Sequence, residues 1–66
     1  MTKKIKDLHD LADLINESEN YPLEEVEEAI EQNGWTDTSS ESDYDVCTDG
    51  RSRLVLDEND AKAKVI

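Results

Sequence analysis

The sequence predicts an α+β fold: a two-helix antiparallel hairpin packed on a small antiparallel β-meander of two or three strands. Three observations support this fold class. Apolar residues recur at helical spacing in two segments, 3–16 and 22–33. From residue 43 onwards the spacing changes to alternation, with a glycine turn between two alternating segments. The chain has 66 residues, so we expect a single small domain over residues 1–66.

The first helix is predicted over residues 3–16. One face is apolar, with members three or four residues apart: Ile5, Leu8, Leu11, Ala12 and Ile15. On the other face, lysines stand four residues before aspartates, a favourable spacing for opposite charges on a helix. Thr2 is the expected N-cap. The polar run at 16–20 predicts a loop after this helix.

The second helix is predicted over residues 22–33. Pro22 suits the first turn, where its missing N–H is not needed. The apolar stripe is Leu23, Val26, Ala29 and Ile30. Gly34 is expected to end the helix in the left-handed conformation, and Trp35 to fold back near Ile30. The short 16–20 loop then predicts an antiparallel pair of helices.

Residues 36–42 contain no apolar side chain and are predicted to form a mobile acidic loop. A β-hairpin follows over residues 43–56. A three-residue loop with a left-handed Gly50 would pair Cys47 with Arg51 and Asp45 with Arg53. A two-residue loop would set Leu54 opposite Asp45, so the three-residue loop is preferred.

The preferred register places Cys47 and an Asp45–Arg53 ion pair on the solvent face of the hairpin. The predicted core is Ile5, Leu8, Leu11, Ile15, Leu23, Val26, Ile30, Trp35, Tyr44, Val46, Leu54 and Leu56. Residues 61–66 have two interpretations. Their alternation favours a third strand, whereas acids followed by lysines would also suit a short C-terminal helix.

Charge is distributed unevenly along the chain. The net charge is −11, and residues 17–49 carry twelve Asp and Glu with no Lys or Arg. Direct nucleic-acid binding is therefore disfavoured, because phosphates are bound by Lys and Arg. An anionic membrane surface would repel the chain for the same reason. No apolar run is long enough for a membrane span, and the single cysteine excludes an internal disulfide, so we expect a cytoplasmic protein.

The sequence matches no motif for catalysis or metal binding. A calcium loop begun at Asp45 would place Cys47 at a ligand position and Leu56 where a bidentate glutamate is required. His9 has no second soft ligand at metal spacing. Cys47 has no nearby base in the sequence pattern, and no glycine-rich phosphate loop is present. We therefore expect no catalytic residue, no metal site and no cofactor.

The second helix carries an unusual acidic face, formed by Glu24, Glu27, Glu28 and Glu31. Like-charge pairs four residues apart each cost about 0.2–0.5 kcal/mol, and no lysine follows a glutamate at that spacing. Solubility, salt adaptation and a basic partner could each explain this, and a basic partner is favoured. The face rises about 10 Å along the axis. Its charges are thus spaced about as densely as the phosphates of one DNA strand.

The whole plan resembles small acidic proteins encoded by bacteriophages: a short amphipathic helix, an acidic helix ending in Asn33-Gly34-Trp35, and a hairpin closing in Leu54-Val55-Leu56. Several such families are nucleic-acid mimics that block a host restriction, repair, CRISPR or transcription enzyme. The resemblance implies a non-catalytic inhibitor in the host cytoplasm that occupies a basic, nucleic-acid-binding cleft.

The candidate partner-binding residues are Tyr21, Glu24, Glu27, Glu28, Glu31, Asp37, Glu41, Asp43 and Asp45. Electrostatic attraction would speed association, and an exposed tyrosine would add affinity. The alternative is a small adaptor or regulatory subunit that binds a protein partner through its apolar helix faces, and this alternative leaves a homodimer open. Salt dependence of binding separates the two, because only the mimic should lose association rate steeply as salt rises.

Overall fold

A computed structural model describes residues 5–57 and 62–66 and confirms the α+β class. The helices are α1 (Leu8–Glu17) and α2 (Leu23–Asn33), and the strands are β1 (Thr36–Asp37), β2 (Asp45–Thr48), β3 (Arg53–Leu56) and β4 (Ala63–Val65). The strands form one antiparallel meander in the order β1-β2-β3-β4. The sheet therefore has four strands, where the sequence predicted two or three.

Helix α1 begins at Leu8, later than the predicted residue 3, because Asp7 is its N-cap. The Asp7 carboxylate accepts a hydrogen bond from the backbone N–H of Asp10 at 2.9 Å. In return, the Asp10 carboxylate accepts from the backbone N–H of Lys6 at 3.1 Å. These two bonds satisfy backbone donors that the start of a helix leaves free. The predicted cap, Thr2, lies outside the described residues.

Helix α2 ends as the sequence predicts. Gly34 adopts the left-handed conformation with φ +69°. The backbone N–H of Trp35 donates to the carbonyl of Ile30 at 3.0 Å, so the chain folds back on the last turn. Both side chains pack partly buried against the core. The predicted core residue Leu23 is instead 54% exposed, at the first position of the helix.

The hairpin register differs from both registers considered above. Cys47 pairs with Leu54 and Thr48 with Arg53, so the loop has four residues, 49–52. The Asp49 carboxylate accepts from the backbone N–H groups of Arg51 and Ser52, each at 2.8 Å. Side-chain hydrogen bonds of this kind stabilise turns that backbone patterns alone do not specify. Gly50, at φ +96°, is left-handed as expected.

A β-bulge between Asp45 and Cys47 changes which residues face the core. Val46 and Cys47 are both buried, so the prediction of a solvent-facing Cys47 is wrong. Tyr44, predicted in the core, is 45% exposed. A bulge inserts an extra residue and interrupts the strict alternation on which those two predictions depended.

Strand β1 lies at the start of the predicted acidic loop 36–42. Thr36 pairs with Thr48 and Asp37 with Cys47. The next residue, Thr38, is 1% exposed, and its backbone N–H donates to the carbonyl of Val46 at 3.2 Å. This segment therefore belongs to the sheet at its beginning, although its polar composition predicts a loop.

Strand β4 confirms the strand interpretation for the described part of 61–66. Ala63 is buried and Lys64 is exposed, as the alternation predicts, whereas Ala61 lies outside the described residues. The Asn16 side chain binds the backbone of Ala63 twice, donating to its carbonyl at 3.1 Å and accepting from its N–H at 2.7 Å. Helix α1 therefore lies against β4 and closes that edge of the sheet.

The core lies between the helices and the sheet. Its buried members are Leu8, Leu11, Ala12, Ile15, Val26, Ala29, Val46, Cys47, Leu54 and Ala63. A second polar anchor joins the end of α2 to the chain before α1, because the Asn33 side-chain amide donates to the carbonyl of Ile5 at 3.2 Å. The apolar faces of both helices are thus used inside the molecule.

Candidate functional site

Helix α2 carries an exposed acidic surface. We call Glu24, Glu27, Glu28 and Glu31 the α2 acidic face; all four side chains are exposed. Helical geometry puts them on the side of α2 opposite Val26 and Ala29, which are buried in the core. Burial of one side of the helix thus fixes the other side, with its four charges, towards solvent.

The α2 acidic face has no ion-pair partner among residues 5–57 and 62–66. The ion pairs found there join Arg53 to Asp45 at 3.0 Å, Arg53 to Glu41 at 3.7 Å, and Lys64 to Asp57 at 3.7 Å. Within the face, Glu28 accepts a hydrogen bond from the neutral Gln32 amide at 2.8 Å. The face therefore keeps its full charge over the described part of the chain.

Two of the predicted binding residues, Glu41 and Asp45, instead form ion pairs with Arg53 on β3. The Asp45 side chain is only 13% exposed and is bound by the Arg53 guanidinium, with Glu41 on the same guanidinium. The predicted Asp45–Arg53 pair is thus present, although the bulge and the longer loop produce it by a different register. A carboxylate that is mostly buried and already paired with a guanidinium offers little to a basic partner.

Asp37 and Asp43 remain exposed. Asp37 accepts the backbone N–H of Ser39 at 2.8 Å, and hydrogen bonds from Ser39 lower the pKa of its carboxyl. Asp37 is therefore ionised at neutral pH, at the edge strand of the sheet. Asp43 stands just before β2, beside the exposed Tyr44.

Tyr21 lies between the helix and sheet parts of the predicted surface. Its side chain is 44% exposed. Burial raises the pKa of its hydroxyl, and the nearby Cys47, Asp37 and Glu27 raise it further. Asp37 on β1 and Glu27 on α2 are therefore both within electrostatic reach of Tyr21. The fold brings these three predicted residues into one neighbourhood.

A groove of about 370 Å³ opens beside Tyr21, between the α1–α2 loop and the ends of β2 and β3. Its walls come from three separate parts of the chain: Ile15, Ser18, Glu19, Asn20, Tyr21, Asp43, Tyr44, Leu56 and Asp57. Sequence reasoning named Tyr21 and Asp43 but missed Glu19 and the groove itself. The acidic loop around Glu19 was the only local signal.

The described residues show no cluster suited to metal binding, and their one cysteine is buried. No group of three or more His, Cys, Asp or Glu side chains among them could hold a metal ion. Cys47 is fully buried, and burial raises the pKa of its thiol to about 11, with Asp37 and Asp49 adding to the effect. Because the thiolate is the nucleophile, burial and the raised pKa both disfavour reaction of Cys47 at neutral pH.

None of the helices in the described part of the chain is both long enough and apolar enough to cross a membrane. Comparisons of the chain with protein-family models, with curated proteins and with solved structures find no match.

Proposed function

We propose that this protein is a non-catalytic acidic binding protein: an inhibitor or nucleic-acid mimic that occupies the basic nucleic-acid-binding cleft of a target enzyme. The target is of the restriction, repair, CRISPR or transcription type, as in the phage-encoded proteins that the chain resembles. One observation carries the proposal: the α2 acidic face is exposed and has no ion pair within the described residues.

The energetics of α2 support a surface selected for binding. Glu24–Glu28 and Glu27–Glu31 are like-charge pairs, each costing about 0.2–0.5 kcal/mol in a helix. Glu31 also lies in the last turn of α2, at the negative end of the helix dipole. A basic cleft would remove both penalties on binding. It would also accelerate association, because complementary charges steer diffusional encounters.

The alternative adaptor function has one observation in its favour. Leu23 is 54% exposed at the start of α2, and a protein partner could cover it. The buried apolar residues of both helices, in contrast, already pack in the core. An adaptor that binds through apolar helix faces would therefore have little exposed apolar helix surface besides Leu23.

The test uses two matched triple variants. The first, Glu24→Gln/Glu28→Gln/Glu31→Gln, removes three charges from α2 while keeping side-chain size. The control, Asp7→Asn/Asp13→Asn/Glu17→Gln, removes three charges from exposed positions of α1 or its cap. Asn replaces Asp at an N-cap with little loss, so α1 should stay capped.

A partner is first captured from a candidate host lysate and identified by mass spectrometry, and its association with each protein is then measured by stopped flow. At low salt, we expect the α2 variant to associate about tenfold or more slowly than the wild type, and the control to change far less. Added salt should shrink the difference. The partner should also lose bound duplex DNA when the wild type is added. Equal rates for the wild type and the α2 variant would refute the mimic and favour the adaptor.

A further inference from the structure

The groove beside Tyr21 combines an apolar floor, aromatic walls and acidic groups at its rim. Ile15 and Leu56 contribute apolar surface, and Tyr21 and Tyr44 contribute two rings that are each a little under half exposed. Glu19 and Asp43 are exposed lining residues with no ion pair among residues 5–57 and 62–66. Its volume of about 370 Å³ is at the small end for a ligand pocket, which suits one long side chain.

The chemistry of this lining matches a guanidinium group. Arginine carries a planar cation that stacks on aromatic rings and donates to carboxylates in a fixed fork. Its three methylene groups can lie on an apolar floor while the charged end remains at the rim. Lysine offers a more strongly hydrated point charge with less to gain from the rings. A neutral apolar side chain would leave the rim carboxylates without a partner.

The groove walls are held in place before any partner arrives. The carbonyl of Tyr44 accepts a hydrogen bond from the backbone N–H of Leu56 at 2.7 Å, which fixes the start of β2 against the end of β3. Tyr21 is followed by Pro22, whose ring restricts the backbone, and by α2. A preformed site loses less conformational freedom on binding than a flexible loop would.

We propose that the groove binds an arginine side chain of the basic partner, with the guanidinium against the Tyr21 and Tyr44 rings and paired with Asp43 or Glu19. The inference rests on the proposed function, since it takes the partner to be basic. Asp57 also lines the groove but is engaged with Lys64 on β4. The α2 acidic face would set the association rate, and the groove would hold the complex once formed.

The test is an NMR titration of the full 66-residue chain with three small probes: N-acetyl-arginine methylamide, its lysine analogue and its citrulline analogue. Citrulline has the shape of arginine without the charge. We expect arginine to shift the Tyr21, Asp43 and Tyr44 resonances saturably in the millimolar range. Lysine should bind at least about threefold more weakly, and citrulline should cause no saturable shift.

Variants separate the groove from the general negative charge of the protein. Glu19→Gln/Asp43→Asn and Tyr44→Leu change exposed side chains, so both variants should fold, and each should weaken arginine binding at least about threefold. The α2 triple variant defined above should keep the groove shifts. The inference is overturned if citrulline or lysine binds as well as arginine, or if arginine shifts all acidic residues alike without saturation.

The two proposals can fail separately. Suppose that the wild type shows no arginine-specific groove shifts, while the α2 variant still associates slowly with the captured partner. That result would refute the groove inference alone. Groove shifts that persist while the α2 variant associates as fast as the wild type would end the mimic proposal alone.

Discussion

Acidic residues have different surroundings in the sheet and on α2. We call Asp37, Asp45, Asp49 and Asp57 the sheet acids. Each has a local partner: a Ser39 N–H, the Arg53 guanidinium, the Arg51 and Ser52 N–H groups, and the Lys64 ammonium, respectively. On the α2 acidic face, the described partner is the neutral Gln32 amide on Glu28. Carboxylates thus shape turns and pair strands in the sheet, where they are aspartates, and produce a negative surface on the helix, where they are glutamates.

Local hydrogen-bond and ion-pair partners distinguish the sheet acids from the α2 acidic face, a distinction that composition alone cannot make. Hydrogen bonds from Ser52 and Arg51 lower the pKa of Asp49, and those from Ser39 lower the pKa of Asp37. A lowered pKa in the folded state means that folding favours the ionised carboxylate. The associated stability is present above the unfolded-state pKa and is lost as pH falls through the folded-state pKa.

The strongest way to break the comparison is to place an acid where the sheet has no partner for it. Val46→Asp puts a carboxylate at a position that is 3% exposed, and we expect it to unfold the protein at neutral pH. Cys47→Asp should do the same, because the bulge buries both residues. The matched control, Gln32→Glu, adds an acid to exposed α2 and should cost less than about 1 kcal/mol.

Circular dichroism and urea unfolding measure all three variants. A folded Val46→Asp protein together with an unfolded Cys47→Asp protein would mean that only one of these side chains faces the core. The bulge would then be absent from the protein in solution.

The element types could be predicted from the sequence wherever the signal is local. Helix α2 is marked at its ends by Pro22 and Gly34, and alternation marks β4. The start of α1 could also have been found, because Asp7 and Asp10 have the spacing of a capping box. The hairpin register could not, because side chains of the 49–52 turn lengthen the loop and a bulge interrupts the alternation.

The candidate site was predictable to a similar extent. Exposure of the α2 acidic face follows from helical periodicity, since Val26 and Ala29 face the core. The groove could not be predicted, because it joins the α1–α2 loop to the ends of β2 and β3. Strand β1 is also determined by distant residues, as two polar residues become a strand only through pairing with Thr48 and Cys47.

A second prediction uses pH instead of a mutation to test the cost of a charge at the buried Cys47. Burial raises the pKa of Cys47 from 9.0 to about 11, so between these pH values the folded state holds a proton that the unfolded state has lost. The free energy of unfolding should therefore fall as pH rises through this window, by about 1–3 kcal/mol. Tyr21 adds to the fall above pH 10, because its pKa is also raised.

Urea unfolding at pH 8, 9, 10 and 11 measures this effect, with Cys47→Ala as the control. Deleting the thiol removes its share of the pH slope, whatever the cavity costs at pH 8. An unchanged slope in Cys47→Ala would show that the thiol is accessible in the folded state.

A third prediction concerns the border between α1 and the sheet. Asn16→Ala removes the two hydrogen bonds to the Ala63 backbone and should lower the free energy of unfolding by about 1–2 kcal/mol. Asn16→Asp should cost more, because the amide that donates to the Ala63 carbonyl is replaced by a charged oxygen that the carbonyl oxygen repels. Urea unfolding measures both variants. Wild-type stability in Asn16→Asp would mean that this edge tolerates charge as α2 does.

The smallest expected effects have opposite signs for the two groups of acids: neutralising acids on α2 should raise stability, and neutralising an acid in the sheet should lower it. Neutralising the α2 acidic face with Glu24→Gln/Glu28→Gln/Glu31→Gln should raise stability at low salt by about 0.5 kcal/mol. Two like-charge pairs disappear, while the loss of Glu24 from the first turn offsets the gain from removing Glu31 from the last turn. Asp45→Asn should lower stability by at most about 1 kcal/mol, because it weakens a part-exposed ion pair with Arg53.

The dependence of the melting temperature on salt should also distinguish the α2 acidic face from the sheet acids. Raising NaCl to about 0.1 M brings the Debye length near 10 Å and screens repulsion along α2, so the melting temperature of the wild type should rise. The α2 variant should show a smaller rise than the wild type, since much of the repulsion is already gone. Asp45→Asn should keep the full rise, because it leaves α2 untouched.

Differential scanning calorimetry at two salt concentrations compares the three proteins directly. A wild-type melting temperature that is flat or falls with salt would mean that the α2 charges do not repel one another appreciably, and the distinction between the two kinds of acid would then have no energetic basis.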